Sequence, residues 1–330
     1  MIRTDVVIVG GGPAGATCAW ALRRHGVDCL ILERQSFPRV KLCAGWITPD
    51  VFDALDLDPA DYPHALTRLA GLRLSVRGLR LRLPAHQLAI RRIEFDAFLL
   101  RRAGVPVHIH HVREIIRRDG GYLIDGEFFG RYLVGAGGTH CPVARTLFTD
   151  VNPRTQNALI VTQEEAFHYP IADTERARTL HIWFFEDGLP GYAWYVPKEG
   201  GVANVGVGGS AVKLAARDDR IQRHWDRLTT RLRTMELVID HDYHPRGHAY
   251  YLREPRRRLR SENAFVVGDA AGLATADMGE GIAPTIQSAL QVADAIAAHS
   301  GAHRATVDLS AIRRYSQPPL IGRLLAAAYR

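Results

Sequence analysis

Cysteine is scarce: the 330 residues hold four, Cys18, Cys29, Cys43 and Cys141. Their spacing has neither the density of a disulfide framework nor a paired CxxC, which argues against a stapled scaffold and a zinc or dithiol site, and reduced thiols are expected. Long apolar runs are missing too. Val6 to Val9, Phe265 to Val267 and Leu324 to Tyr329 all fall far below a bilayer span, and Asp5 interrupts any signal-like start, so a soluble cytoplasmic protein is the expectation. Internal repeats and low-complexity segments are absent from the chain. With 47% hydrophobic and 23% charged residues, disorder is set aside, and the length suits one large domain or two modest ones sharing a core.

A net charge of +7 and the cluster Arg256, Arg257, Arg258 and Arg260 raise nucleic acid as a partner. The cluster has no interleaved aromatic platform and precedes an apolar strand, so it reads as a solvated loop and no nucleic acid is expected. Basic surface leaves two milder uses open, peripheral contact with anionic lipid and attraction of an anionic cofactor.

The order of elements begins with a strand at Asp5 to Val9, a tight turn at Gly10 to Gly15, a helix from Ala16 to His25 ended by Gly26, and a second strand from Cys29 to Glu33. This is a strand, helix, strand unit of a parallel sheet. A proline-punctuated stretch follows, with Leu72 to Leu83 read as one half-exposed strand. Arg92 to Arg102 reads as a helix, and Val105 to Val112, Tyr122 to Ile124 and Tyr132 to Val134 as short strands of a meander. The strands Leu159 to Thr162, Thr179 to Phe185, Ala193 to Pro197 and Val202 to Gly208 predict an antiparallel sheet. Phe265 to Val267 returns as a buried strand, and Pro284 to His299 as a long helix.

Gly10, Gly12 and Gly15 satisfy GxGxxG between a strand and a helix, and Glu33 ends the next strand. The first glycine makes the turn, the second lets backbone approach a pyrophosphate, and the third lets the helix lie against the strand. Amides and macrodipole at the helix start bind phosphates, while Glu33 accepts hydrogen bonds from an adenosine ribose. Pro13, Ala14 and Arg34 are counted with the same site. This motif alone does not separate FAD from NAD.

Phe265-Val266-Val267-Gly268-Asp269-Ala270-Ala271-Gly272, followed by Gly279-Glu280-Gly281-Ile282-Ala283, resembles the flavin-binding GD motif of the FAD-dependent geranylgeranyl reductase-like family in the flavin hydroxylase superfamily. The resemblance implies FAD as cofactor, with Asp269 on the flavin ribityl chain and the helix start at Gly281 and Ile282 aimed at the flavin pyrimidine. Arg92-Ile93-Glu94-Phe95-Asp96 is similar to the family's RxxFD helix start, which implies Arg92 near the isoalloxazine and backbone around Val112 beside adenine. Where flavin hydroxylases carry a DG pair serving FAD and NADPH, this chain has Gly137-Gly138. Direct NADPH use by that route is therefore in doubt, and no second GxGxxG supplies a nicotinamide domain.

Phe37-Pro38-Arg39-Val40-Lys41-Leu42-Cys43-Ala44-Gly45 is similar to the FPR-x-K-x-C-G-G stretch of geranylgeranyl reductases, which implies Cys43 near the flavin. Tyr192-Ala193-Trp194-Tyr195-Val196-Pro197 resembles their YxWxFP motif, continued by Asn204-Val205-Gly206-Val207-Gly208. Period-two alternation puts Tyr192 and Trp194 on one strand face, able to line an apolar cavity or equally to be core. The resemblance implies an α/β fold, a glutathione-reductase-like FAD-binding Rossmann domain (1–50, 91–154 and 255–310) carrying an inserted antiparallel-sheet substrate domain (51–90 and 155–254), with a helical tail at 311–330. It implies hydride transfer from reduced FAD to a carbon–carbon double bond of a small apolar, isoprenoid-like substrate, with Cys43, Tyr192 and Trp194 as catalytic-site residues. The external electron donor, a nicotinamide cofactor or a reduced carrier, is not identified.

Two alternatives stay open. A flavin monooxygenase or halogenase acting on an aromatic substrate shares part of the Tyr192 to Pro197 string, without the leading Trp of the halogenase WxWxIP motif. An FAD-loaded binding or electron-transfer protein is the other. His108, His110 and His111 and the group Asp240, His241, Asp242 and His244 read as solvated polar residues, and no metal site is expected.

Overall fold

The computed structural model describes residues 1–84, 87–254 and 257–299. The expected helical tail at 311–330, the apolar run Leu324 to Tyr329 and Arg256 lie outside the described residues. Contacts divide the described chain into two compact units, one formed by Met1–Arg39, Asp96–Arg154 and the residues from Tyr251 onward, the other by Val40–Phe95 and Thr155–Tyr250.

The first unit is built on a sheet whose five parallel strands are, in spatial order, Ala264–Val266, Phe128–Gly135, Ile2–Val9, Cys29–Glu33 and Val107–Ile109. Numbered along the chain this is the order 5-4-1-2-3, which reverses beside the first strand and leaves a crevice at the strands' carboxyl ends. The run Val6 to Val9 is uninterrupted because both faces are covered. Val6 and Ile8 pack beneath the helices Pro13–Arg24 and Ile282–His299, while Val7 and Val9 face Leu30, Leu32, Val143 and Phe148 on the other side. The helix Pro13–Arg24 buries Cys18, Ala19 and Leu22 against Ala289, Val292, Ala293 and Ile296 of the second helix.

The parallel sheet and the separate, mostly antiparallel sheet agree with the expected fold class, and two strand readings in the first unit change. Tyr132 to Val134 belongs to the long strand Phe128–Gly135, which pairs in parallel with Ile2–Val9 and only at its start joins an antiparallel meander with Gly121–Ile124. Val107–Ile109 is likewise a parallel strand beside Cys29–Glu33, and Val112 sits beyond its end in a connecting segment. Apolar alternation reports a half-buried strand but not its partner, so the two arrangements look alike in sequence.

In the second unit a seven-stranded sheet runs Arg246–Tyr251, Leu159–His168, Val202–Ser210, Gly191–Lys198, Leu180–Phe184, Leu72–Val76 and Leu79–Leu83. The region 72–83 is thus a hairpin rather than one strand, turned at Arg77 and Gly78 with φ of 48° and 88°. That pair of positive values is the turn geometry matching strand twist, and Arg at the first position hid it. The contact of Leu180–Phe184 with Leu72–Val76 is parallel. Trp183, Ala193, Tyr195, Val205 and Val207 pack under the helix Ile221–Thr234, through its Trp225, Leu228 and Leu232. Alternation therefore sends Glu164, Tyr192, Trp194 and Asn204 to the opposite face. A small sheet of Trp46–Ile47, Leu88–Ile90 and Leu66–Arg68 completes the unit.

Ile8 is fully buried between sheet and helices. Ile8→Ala is expected to lower the unfolding free energy by about 2–5 kcal/mol, measured by urea denaturation at fixed pH.

Candidate functional site

The glycine turn begins where the strand Ile2–Val9 ends. Gly10 has φ of 112°, and a Cβ there would lie 2.5 Å from the Ala136 carbonyl oxygen and 2.8 Å from Gly137 Cα. A Cβ at Gly15 would overlap the Gly10 carbonyl oxygen and meet Ile8 Cγ2 at 3.1 Å. Both positions bring backbone against backbone, which no larger residue permits. Gly15 lies inside the helix Pro13–Arg24 rather than in the turn, and Gly12 is its N-cap with no side-chain cap hydrogen bond. The opening amides and the positive end of the dipole are thus not spent on a capping side chain, as an anion site requires.

Glu33 is buried at the end of its strand. Its Oε2 accepts from Gly11 N at 2.6 Å and its Oε1 from Gln35 N at 3.0 Å, so the carboxylate is fixed against the glycine turn with lone pairs left for hydroxyl donors. Arg34 beside it is exposed. Arg39 was not singled out from sequence as a site residue. Its guanidinium stacks over Phe37 at 4.6 Å, lies 3.8 Å from the buried Asp96, and is 3.4 Å from the Cβ position of Gly12. Positive charge therefore joins the helix start, and the quoted FPR motif was the signal that carried it.

The second turn lies on the same edge of the same sheet. Val267 N donates to Gly135 O at 3.0 Å and Ala136 N to Val9 O at 2.8 Å, so the ends of three neighbouring strands carry Gly268–Ala270, Ala136–Gly137 and Gly10–Gly12. The outer two are separated by two strand spacings, roughly 10 Å. A Cβ at Gly281 would sit 3.5 Å from Asp269 Oδ1, which puts the start of the helix Ile282–His299 directly beside this carboxylate. Gly268 N donates to Ser288 Oγ at 3.1 Å and fixes the turn to the same helix. Glu280 caps it, accepting from Ala283 N at 2.7 Å. Arg154 donates to the Thr139 and Ala270 carbonyls and adds a charge felt by Asp269. Val112 is 5% exposed, packed in the core on the far side of the sheet from the two helices.

The remaining predicted residues fall in the second unit, around a buried acid. Glu164, Gly206 and Trp194 are register partners in one row across three strands. A Cβ at Gly206 would overlap the Trp194 ring, so the missing side chain is what lets the indole lie over the strand towards Glu164. Trp194 Nε1 donates to Asn204 Oδ1 at 2.7 Å, and Asn204 Nδ2 donates to Glu164 Oε2 at 3.4 Å. Tyr192 is half-buried beside Trp194, ring centroids 5.6 Å apart, and beside Phe184 at 5.1 Å. Cys43, partly exposed, accepts from Gly45 N through its Sγ at 3.3 Å. Lys198 Nζ reaches within 2.7 Å of the Cβ position of the same Gly45.

Burial raises the Glu164 carboxyl to about 7, against the Asn204 hydrogen bond and the charges of Lys198, Lys41 and Arg92. Burial lowers Lys198 to about 8, opposed by Cys43 and Glu164 and reinforced by Arg92 and Arg91. His248, whose Nδ1 is 3.5 Å from Glu164 Oε1, is held down at about 4 by burial and by Lys41 and Arg92. Arg92, predicted on the cofactor, is counted in this unit and acts on the same cluster. Glu164, Asn204 and Lys198 went unmarked as site residues because strand register alone brings them together. His110 pairs with Asp125 at 2.7 Å and His241 with Glu165 at 3.0 Å. Among the described residues no group of three His, Cys, Asp or Glu side chains is arranged to hold a metal ion, and no helix is long and apolar enough to cross a membrane.

A nucleotide with two phosphates fits the first unit: an uncapped helix start, backbone stripped of side chains, a fixed acid at one end and an aspartate beside a second helix start at the other. Residues 3–57 and 119–315 match the FAD binding domain family, and the chain belongs to this family of FAD-dependent oxidoreductases. FAD is the cofactor that the family binds. Its homologues are geranylgeranyl reductase-like proteins, in line with the expected resemblance. Digeranylgeranylglycerophospholipid reductase 1 of Methanopyrus kandleri is 31% identical over 219 residues, 62% of this chain and 57% of that protein. Menaquinone reductase of Mycobacterium tuberculosis is 31% identical over 229 residues, 62% and 54% respectively, so the matches span little more than half of either relative. The solved geranylgeranyl bacteriochlorophyll reductase-like protein of Thermoplasma acidophilum has a TM-score of 0.78, covering 100% of this chain and 85% of that one at 21% identity, which shows a shared fold.

Two outcomes are expected. Asp269→Ala, which removes a charged hydrogen-bond acceptor, should weaken FAD retention by roughly 10- to 100-fold with circular dichroism unchanged; full occupancy after gel filtration would count against the role. For Glu164 the folded value of about 7 exceeds the ordinary 4.5, so the stability it contributes is complete below pH 4.5 and falls away as pH rises to 7. Relative to the wild type, Glu164→Gln should therefore gain stability over that window, by up to about 3 kcal/mol, in urea titrations at each pH.

Proposed function

We propose that this protein is an FAD-dependent reductase that saturates a carbon–carbon double bond of an apolar, isoprenoid-like substrate. The observation that carries the reading is the pair Tyr192 and Trp194: a half-buried and a buried aromatic ring beside a buried acid and a buried lysine, on the face of the sheet opposite the helix Ile221–Thr234. The names of the two reductase relatives support the substrate class.

Reduced FAD supplies the hydride in this reading. In the first unit Gly10, Gly12, Pro13, Ala14 and Gly15 present backbone to its phosphates, with Arg39 adding positive charge. Glu33 would accept from a ribose hydroxyl, Asp269 would hold the ribityl chain, and Gly281 and Ile282 would offer the positive end of the second helix to the flavin. In the second unit Tyr192 and Trp194 lay an apolar chain flat and exclude water, Arg92 and Lys198 keep the surroundings positive, and Cys43 closes the Gly45 side. The electron donor in this reading would be an external nicotinamide cofactor or a reduced carrier.

The test is single turnover without oxygen. Photoreduced protein mixed with a geranylgeranyl lipid or menaquinone should regain the oxidised flavin spectrum and yield a product heavier by two hydrogens. Reoxidation that needs oxygen, with a hydroxylated or, given halide, halogenated aromatic product, would replace this reading with the monooxygenase or halogenase one. Tyr192→Ala should raise KM for the lipid roughly tenfold at unchanged FAD content, about the worth of one aromatic contact.

A further inference from the structure

We propose that the hairpin of Leu72–Val76 and Leu79–Leu83 is a membrane-docking edge, which seats Leu79 and Leu81 in the acyl boundary of an anionic lipid bilayer and sets Arg77, Arg80 and Arg82 on the lipid phosphates. The inference rests on the reductase reading for its purpose and adds the surface from which an apolar substrate is drawn.

Strand register builds the edge. Leu79–Leu83 is the last strand of the seven-stranded sheet, so one side of its backbone has no neighbouring strand among the described residues. Leu81 pairs with Leu74, Leu74 with Ile182 and Ile182 with Trp194, a row of apolar side chains on one face. The adjoining row runs Leu79, Val76, Phe184 and Tyr192. Burial falls along both rows towards the edge: Ile182 and Phe184 are fully buried, while Leu81 is 40% and Leu79 65% exposed. Trp194 and Leu81 are three strand spacings apart, roughly 14 Å. The face that carries the aromatic pair therefore continues, without a charged side chain in either row, to two leucines in contact with solvent.

The other face and the turn are basic. Arg80 and Arg82 alternate with the leucines, and Arg77 stands in the turn. Residues 70–84 hold four arginines and no acid. The acids that approach from elsewhere are matched. Glu175 pairs with Arg82, while Glu186, which accepts from Gly78 N at 2.9 Å, lies 3.5 Å from Arg231, and Asp187 pairs with the same Arg231 at 2.8 Å. Arg77 and Arg80 are exposed and make no ion pair among the described residues.

Size and charge select the partner. A stable protein interface buries about 800 Å² on each side, far more than two leucine side chains supply. A second copy would bring these arginines against their own kind, the means by which charged edge strands avoid pairing. An anionic bilayer meets both features at once, because apolar side chains enter the acyl boundary while long basic ones keep their charge among the phosphates.

Vesicle binding by the FAD-loaded protein tests this. It should co-sediment with vesicles of phosphatidylglycerol and phosphatidylcholine in equal parts, be released by salt, and ignore phosphatidylcholine alone. Arg77→Ala with Arg80→Ala should weaken binding roughly tenfold or more, and Leu79→Ser with Leu81→Ser by a similar factor, with FAD content and circular dichroism unchanged. Amide hydrogen exchange over 77–83 should slow on the vesicles while that of the inner strand Leu180–Phe184 stays the same. The control is Arg117→Ala with Arg118→Ala, an exposed basic pair in the first unit, which should bind as the wild type does. An equal loss in that control, or equal binding to neutral vesicles, overturns the docking edge. So does a lipid-free dimer that the leucine substitutions dissolve, which would give the edge to a second copy. Turnover of detergent-dispersed lipid without vesicle binding overturns this proposal alone. Vesicle binding through the hairpin without any turnover overturns the reductase reading and leaves the membrane contact standing.

Discussion

Two contacts without side chains hold the first unit's site together: Gly10 against Ala136 and Gly15 against the Gly10 carbonyl. Each presses main chain on main chain at the carboxyl ends of parallel strands, where a single methyl group has no room. The helix Pro13–Arg24 can therefore lie close over Ile8, and its amides open at the strand end. The same closeness lets the helix Ile282–His299 pack beside it through Ala289 and Ala293. Fold and nucleotide site are here one arrangement, since the packing that buries the apolar strand also leaves the helix start without a capping side chain.

The second unit solves a different problem. Its sheet has one face buried under a helix in the ordinary way, and the other carries aromatic rings next to groups that burial makes expensive to charge. Glu164, Lys198 and His248 are all displaced in the direction of their neutral forms. A core built only for stability would have replaced them with apolar residues at little loss. Their place beside Tyr192 and Trp194 is what supports the proposal that this face takes the substrate.

Much of the first unit was legible in advance. The strand, glycine turn, helix and terminal Glu33 form a local pattern, each residue type being dictated by neighbours a few positions away, and the turn at Asp269 is equally local. The pairing of the strand Phe128–Gly135 was not, because alternation tells which residues are buried and not which strand lies alongside. The Arg77–Gly78 hairpin was missed for a related reason: Arg rarely takes positive φ, so the turn had no recognisable residue pair.

The amino-acid sequence by itself determined the nucleotide-binding architecture and the aromatic strand, since both are written in short motifs whose spacing fixes their geometry. Only the tertiary structure decided that Glu164 shares a row with Trp194, that Asn204 links them, and that Lys198 reaches the Gly45 turn. Glu164, Trp194 and Asn204 are brought together by strand register, and Lys198 meets the turn at Gly45. Those pairings are settled by the burial of whole faces, which no single segment of the chain encodes.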